Sequence, residues 1–141
     1  RAGDKVVAFE EEFPANYYPW KRLEPKGVKV EWLSVFDPLE KIDEACRGAR
    51  MLAISCVQYL SGYRVDLAAL GEICRRRGCF FLVDAIQGLG AFPVDVRRCG
   101  IRALAADGQP PFPPPPPPTN TSHGIAPLTL NVSLEVKMWA M

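Results

Sequence analysis

Five short apolar runs divide the first part of this sequence, and each has the length and composition of a buried β-strand. The runs lie at positions 5–9, 28–33, 51–56, 80–83 and 102–106. Turn-rich or helix-like segments separate them, so strands and helices alternate along the chain. This alternation is typical of right-handed crossovers between parallel strands. It predicts an α/β fold in which a mainly parallel sheet carries helices on both faces, and it explains why the run at 80–83 is continuously apolar.

A helix is predicted between the third and fourth runs. Asp66 is a good N-cap, and apolar residues recur at helical spacing from 67 to 74. Three arginines at 75–77 suit the negative end of the helix dipole, and Gly78 stands where a C-cap glycine belongs.

A second helix is predicted over 39–47, between the second and third runs. Asp37 is expected to cap it, with Pro38 at its first position and Gly48 directly after its end. Both helices fall between predicted strands, as a crossover requires.

The charge pattern excludes several classes of partner. Seventeen basic and sixteen acidic residues are interspersed, with a net charge of +1, so neither nucleic acid nor an anionic membrane is expected to bind.

No stretch approaches the roughly 20 apolar residues of a membrane helix, and no secretory signal pattern is present. The five cysteines form no C-x-x-C pair and the chain has one histidine, so neither a disulfide framework nor a metal site is predicted. These features favour a location of the chain in the cytoplasm or in an organelle.

In parallel α/β sheets, ligands bind beyond the carboxyl ends of the strands. The polar residues that directly follow the predicted strands are therefore the first candidates for a site: Gln58, Tyr59, Asp84, Gln87 and Asp107.

The segment 80–90 is the most informative, because a buried strand ends there in Asp84 and leads into a glycine-bordered loop. A carboxylate in that position needs a partner, and the protonated pyridine nitrogen of pyridoxal phosphate (PLP) is one. The small Ala85 would let a ring lie close to the backbone, and Gln87 could donate a hydrogen bond to the ring's phenolic oxygen.

Two other interpretations of this segment stay open. A strand that ends in aspartate before a glycine loop is common in α/β proteins, where the carboxylate simply stabilises a turn. The run Gly88-Leu89-Gly90 could also indicate a dinucleotide loop and hence a nicotinamide-dependent reductase, although Pro93 follows too early for a helix to begin.

Four segments, in order and spacing, resemble the class V aminotransferases, a family that includes the cysteine desulfurases. They are VDAIQG at 83–88, FPVDV at 92–96, SCVQYLSG at 55–62, and FPANYYPW at 13–20, which resembles the family's loop after an early strand. The resemblance covers positions 1–108. It implies a piece of the large domain of a PLP enzyme of fold type I.

The resemblance also implies roles for individual residues. Asp84 takes the place of the partner of the pyridinium nitrogen, and Gln87 that of a residue near the phenolic oxygen. Gln58 lies close to where desulfurases have an asparagine that contacts the same oxygen. Asp107 stands where many relatives have a serine that touches the phosphate, a group that a carboxylate would repel.

The family pattern stops after Gly108. Members continue with histidine and the Schiff-base lysine, whereas this sequence has Gln109 and Pro110. Without that lysine the chain lacks the covalent anchor of the cofactor and the base for proton transfer, and is expected to be inactive. The resemblance implies a parent enzyme that acts on an amino acid as an aminotransferase, desulfurase or related lyase, and forms a homodimer. The family's phosphate-binding turn and small domain are expected to lie outside this chain.

The remainder of the sequence differs in kind. Positions 109–124 are predicted to be a proline-rich linker, disordered or in polyproline II conformation, and positions 125–141 a tail with strand-like alternation. The stretch from Pro110 to Pro118 is a candidate ligand for SH3 or WW domains, which leaves open a non-catalytic interaction protein on a degenerate PLP domain. We also hypothesise that a frameshift, retained intron or misjoined exon produced the sequence after Gly108.

Overall fold

The computed structural model describes residues 1–106, which form a five-stranded sheet in which every neighbouring pair of strands is parallel. The strands are β1 (Lys5–Phe9), β2 (Lys29–Leu33), β3 (Met51–Ser55), β4 (Phe80–Asp84) and β5 (Ala103–Ala105), and their order across the sheet is β2-β1-β3-β4-β5. Each apolar run overlaps one strand, so the predicted α/β fold is confirmed.

Helices lie in the first three connections between strands: α1 (Pro14–Lys21), α2 (Leu39–Ala45) and α3 (Leu67–Arg77), with a 3-10 turn at Glu24–Lys26. The chain moves from β1 to β2 in one direction across the sheet, and from β2 to β3 and then β4 in the other. Because crossovers between parallel strands are right-handed, this reversal places α1 on one face and α2 and α3 on the other. The prediction of helices on both faces is confirmed.

The ends of α3 are those that the sequence predicts. Oδ1 of Asp66 accepts hydrogen bonds from the backbone N–H groups of Ala68 and Ala69, both at 3.0 Å. Gly78 ends the helix in the left-handed conformation, with φ of 70°. These contacts satisfy backbone groups that a helix end otherwise leaves unpaired.

The predicted ends of α2 are wrong. Pro38, not Asp37, occupies the N-cap position, and no side chain caps the helix. Asp37 instead accepts from the backbone N–H of Ser34 at 3.0 Å and from Nζ of Lys41 at 2.9 Å, which stabilises the turn before the helix. The helix ends at Ala45, and Gly48 adopts its positive φ of 68° in the turn that follows rather than at the helix end.

The segment 13–20, predicted as a loop, is largely helical. Pro14 occupies the first turn of α1, where a missing N–H costs nothing, but Pro19 lies inside the helix and removes a backbone hydrogen bond. Side-chain contacts compensate, because Nε1 of Trp20 donates to Oδ1 of Asn16 at 3.3 Å, one turn earlier.

The core lies between the sheet and the α2 and α3 layer, where Phe9, Leu52, Ile54, Phe81 and Val83 are among the fully buried side chains. The other face of β4 is only half covered by the described residues, because burial alternates along the strand. The explanation that the run at 80–83 is buried on both faces is therefore wrong for this part of the molecule.

Several predictions concern residues outside the described range. The linker at 109–124, the tail at 125–141, the proline stretch and Asp107 all belong to this group. Within residues 1–106, no helix has both the length and the apolar character needed to cross a bilayer.

Candidate functional site

A cavity of about 330 Å³ opens at the carboxyl ends of β3 and β4. The order in which strands are added to the sheet reverses between β1 and β3. Open α/β sheets bind ligands beyond the carboxyl ends of the strands at such a point. Its walls include Phe13, Ser55, Tyr59, Asp84, Ile86 and Gln87. Three of the five candidate residues from the sequence, Tyr59, Asp84 and Gln87, therefore line one cavity.

Asp84 is the last residue of β4 and projects a half-buried carboxylate into this cavity. Oδ1 accepts from the backbone N–H of Ile86 at 2.9 Å, whereas Oδ2 accepts no hydrogen bond from the described residues. Burial raises the pKa of Asp84; the hydrogen bond from Ile86 lowers it, and the negative charge of Glu12 raises it further. The ionised carboxylate thus lacks the cationic partner that would compensate its desolvation.

Aromatic rings form part of the cavity lining. Phe13 follows β1 in sequence, and its ring, about half exposed, packs edge-on against Tyr59 with 5.1 Å between the ring centroids. Aromatic side chains and a carboxylate with one unpaired oxygen in the same cavity are complementary to a planar, positively charged ring. The residues present therefore fit the protonated pyridine ring of PLP.

Gln87 is exposed and reaches the cavity from the loop after β4. That loop packs tightly, because a Cβ added to Gly88 would lie 2.5 Å from Sγ of Cys56 and 2.6 Å from the ring of Phe92. Ala85 is fully buried beneath it. The small residues at 85 and 88 allow the backbone of this loop to pack closely against Cys56 and Phe92 next to Asp84.

The side chain of Gln58, predicted as a third cofactor-binding residue, is directed to Glu12. Its side chain is 2% exposed, does not line the cavity, and donates from Nε2 to Oε1 of Glu12 at 3.2 Å. Oε1 of Gln58 is buried without a hydrogen-bond partner among the described residues. To reach a phenolic oxygen, the amide would have to use its second N–H or leave Glu12.

Glu12, which the sequence did not single out, is the centre of the buried polar contacts at this edge. It is 5% exposed and accepts hydrogen bonds from Asn16, Ser55 and Gln58. The only signal in the sequence is an acidic triplet at 10–12 between an apolar strand and Phe13. An acidic triplet is usually a solvated surface, so the pattern alone gave no reason to choose its third member.

A larger cavity of about 430 Å³ lies beside the start of α3 and contains none of the predicted site residues. Its two carboxylates, Asp66 and Asp95, both accept hydrogen bonds from backbone N–H groups. Size alone therefore does not identify the site.

The cysteines offer no reactive thiolate near the first cavity. Cys56 is fully buried, and burial raises the pKa of its thiol. Cys99 is half-buried, and burial likewise raises its pKa. The described residues also contain no cluster of three or more His, Cys, Asp or Glu side chains suited to a metal ion.

The fold is an α/β domain with a cavity at the carboxyl ends of its parallel strands, and comparison with known proteins identifies its family. The family model of class-V aminotransferases matches residues 1–114, and the chain belongs to this family. Class V aminotransferases, with the cysteine desulfurases among them, depend on PLP.

Cysteine desulfurases are prominent among the similar proteins. A probable cysteine desulfurase from Pyrococcus abyssi is 32% identical over 113 residues, which cover 77% of this chain and 28% of the relative. The apo structure of a cysteine desulfurase from Thermococcus onnurineus is 30% identical, with a TM-score of 0.72 over 77% of this chain and 28% of that one. The desulfurase CsdA from Escherichia coli matches with 27% identity and a TM-score of 0.69, over 77% and 29%. The chain thus spans little more than a quarter of the length of these relatives.

Proposed function

We propose that residues 1–106 form the floor of a PLP site, and that the parent enzyme is a homodimer acting on an amino acid as an aminotransferase, cysteine desulfurase or related lyase. Bound PLP supplies an electron sink for a carbanion at the substrate α-carbon. In this proposal Asp84 holds the proton on the ring nitrogen, and Gln87 donates to the phenolic oxygen. Phe13 covers the ring and excludes water.

The observation that carries this proposal is the unpaired oxygen of Asp84. Burial raises the pKa of this half-buried carboxylate, and a ligand that supplies a cationic N–H group would compensate part of its desolvation. The aromatic lining and the family membership support PLP as that ligand.

We also propose that the chain is catalytically inactive. The family position for the covalent lysine falls in the sequence Gln109-Pro110-Pro111, and none of these side chains can form the bond or move a proton. Binding of the cofactor to this chain would then be non-covalent.

A titration with pyridoxine 5′-phosphate, which lacks the aldehyde and cannot react with surface lysines, tests the binding proposal. In a ¹⁵N-labelled sample of the full chain, we expect the largest shifts of amide signals at Ser55, Asp84 and Gln87. Asp84→Asn removes the charge but keeps the acceptor for Ile86, and should weaken binding about tenfold or more.

Asp95→Asn is the matched control, because Asp95 accepts two backbone hydrogen bonds outside this cavity. It should bind the probe as the unsubstituted chain does. Shifts scattered over the surface, or equal affinity for Asp84→Asn, would overturn the proposal.

We place the chain in the cytoplasm. The five cysteines are free thiols, four of them buried, which fits a reducing compartment. Fractionation of cells that express the tagged chain would test this, and recovery in an oxidising compartment would contradict it.

A further inference from the structure

Glu12 receives four hydrogen bonds and forms no ion pair within the described residues. Oε1 accepts from the backbone N–H of Ser55 at 2.6 Å and from Nε2 of Gln58 at 3.2 Å. Oε2 accepts from Nδ2 of Asn16 at 2.9 Å and from the hydroxyl of Ser55. A buried carboxylate is tolerated only when donors replace its lost hydration, and here four do so.

These contacts join elements that are distant in sequence. Glu12 lies directly before Phe13, Asn16 is in α1, and Ser55 ends β3, 43 residues away from Glu12. Nδ2 of Asn16 also lies 3.5 Å from the hydroxyl of Ser55. The two cavity walls that Phe13 and Ser55 form are therefore attached to the same carboxylate.

The third wall of the cavity, formed by Asp84, lies next to Ser55 in the sheet. Ser55 of β3 pairs with Asp84 of β4, and neighbouring residues of parallel strands project from the same face of a sheet. A shift of Ser55 would therefore move the part of the cavity wall that lies next to Asp84.

We infer that Glu12 is a positioning residue of the cofactor site, which fixes the Phe13 and Ser55 walls relative to Asp84 through its four hydrogen bonds. This inference rests on the proposed function for its ligand, but the geometry it describes exists without one. Glu12 itself does not line the cavity.

The substitution Glu12→Gln tests the role, because it keeps the shape but places an N–H₂ group where Oε2 accepts from Asn16. Two donors then face each other in a buried space, which costs about as much as an unmade buried hydrogen bond. We expect pyridoxine 5′-phosphate to bind about tenfold more weakly, and the Ser55 amide to exchange its hydrogen about tenfold faster.

The double variant Glu12→Gln with Asn16→Asp is the matched rescue. It moves the carboxylate to position 16, where it accepts from the new amide and from Trp20, while the hydroxyl of Ser55 can rotate to accept. Probe affinity and Ser55 exchange should both return to within about twofold of the original chain. Failure of this rescue in a variant that folds, or normal affinity in Glu12→Gln alone, would overturn the inference.

Two further results separate this inference from the proposed function. Asp84→Asn should weaken probe binding without faster exchange at Ser55, because it leaves the Glu12 contacts intact. If the original chain does not bind the probe, the proposed function fails, and Ser55 exchange with its rescue still decides whether Glu12 fixes the walls. An unchanged Ser55 exchange rate in Glu12→Gln would then reject the positioning role.

Discussion

At the scale of single residues, the ionised carboxylate of Asp84 should favour binding of the proposed ligand but lower the stability of the fold. Burial raises the pKa of Asp84, so the folded chain binds this proton more tightly than the unfolded chain does. The stability that the protonated form contributes is fully present below the ordinary value of 3.8, and is lost as pH rises through the folded pKa. At neutral pH the ionised Asp84 therefore destabilises the fold.

Asp84→Asn should accordingly raise the melting temperature at pH 7, while it weakens binding of the ring. The gain should shrink as pH falls and vanish below pH 3.8, where Asp84 becomes protonated in the unfolded state as well. Thermal unfolding followed by circular dichroism between pH 3.5 and 7.5 measures this. A melting temperature at pH 7 that stays equal to or falls below that of the unsubstituted chain would contradict the assignment.

The sequence identified Asp84 but not Glu12, and the reason is physical. Asp84 ends an apolar strand, and the position of a strand end can be read from local pattern. The importance of Glu12 comes from Ser55 and Gln58, which are distant in sequence, and local pattern cannot show that they meet it. The same limit applies to Gln58, which turns toward Glu12 because that carboxylate lies within reach.

At the scale of elements, α3 packs against the turn at 95–100 through a glycine. A Cβ on Gly71 would collide with the carbonyl oxygen of Cys99, and a backbone atom cannot move aside as a flexible side chain can. Gly71 therefore allows close approach rather than marking a weak point of the helix.

Gly71→Ala should destabilise the chain by about 1–3 kcal/mol, although alanine normally favours a helix. Ala68→Gly, at an exposed position of the same helix, is the control and should cost roughly 0.5–1 kcal/mol. Urea unfolding of both variants gives the comparison. A stabilising Gly71→Ala would show that the contact with Cys99 does not form.

Elements whose ends carry strong signals were predicted well, and the errors lie where side chains make contacts that the sequence pattern does not indicate. The ends of α3 follow from Asp66 and Gly78. By contrast, Pro14 and Pro19 argue against a helix, and α1 persists because Asn16 and Trp20 interact along it. The predicted cap of α2 was wrong because Asp37 accepts hydrogen bonds from Ser34 and Lys41 and none from the backbone of the first helical turn.

At the scale of the whole molecule, we expect the chain to bind the cofactor at the proposed site without catalysing the reaction of the proposed parent enzyme. Incubated with PLP and cysteine, it should release no more alanine or sulfide than free PLP does. After reduction with borohydride, peptide mass spectrometry should find no lysine modified stoichiometrically. Such an adduct at Lys137, or turnover above the free cofactor, would refute the proposed inactivity.

The variant Gln109→His with Pro110→Lys returns the family's residues to their positions. If the remainder of the site is competent, borohydride should then trap PLP at the introduced lysine. An adduct spread over many lysines would show that the floor does not direct the cofactor.

Because of the strand order of the sheet, the site forms only in the folded chain, so ligand binding should stabilise the fold. Glu12, Ser55 and Asp84 follow or end β1, β3 and β4, which are neighbours in the sheet but come from separate parts of the chain. No local segment contains the site, so it exists only after these three strands have paired, and the unfolded chain has nothing for a ligand to recognise. Any molecule that binds there must raise the free energy of unfolding in proportion to the logarithm of its concentration. A ligand search could therefore use melting temperature as its readout and would need no enzymatic activity.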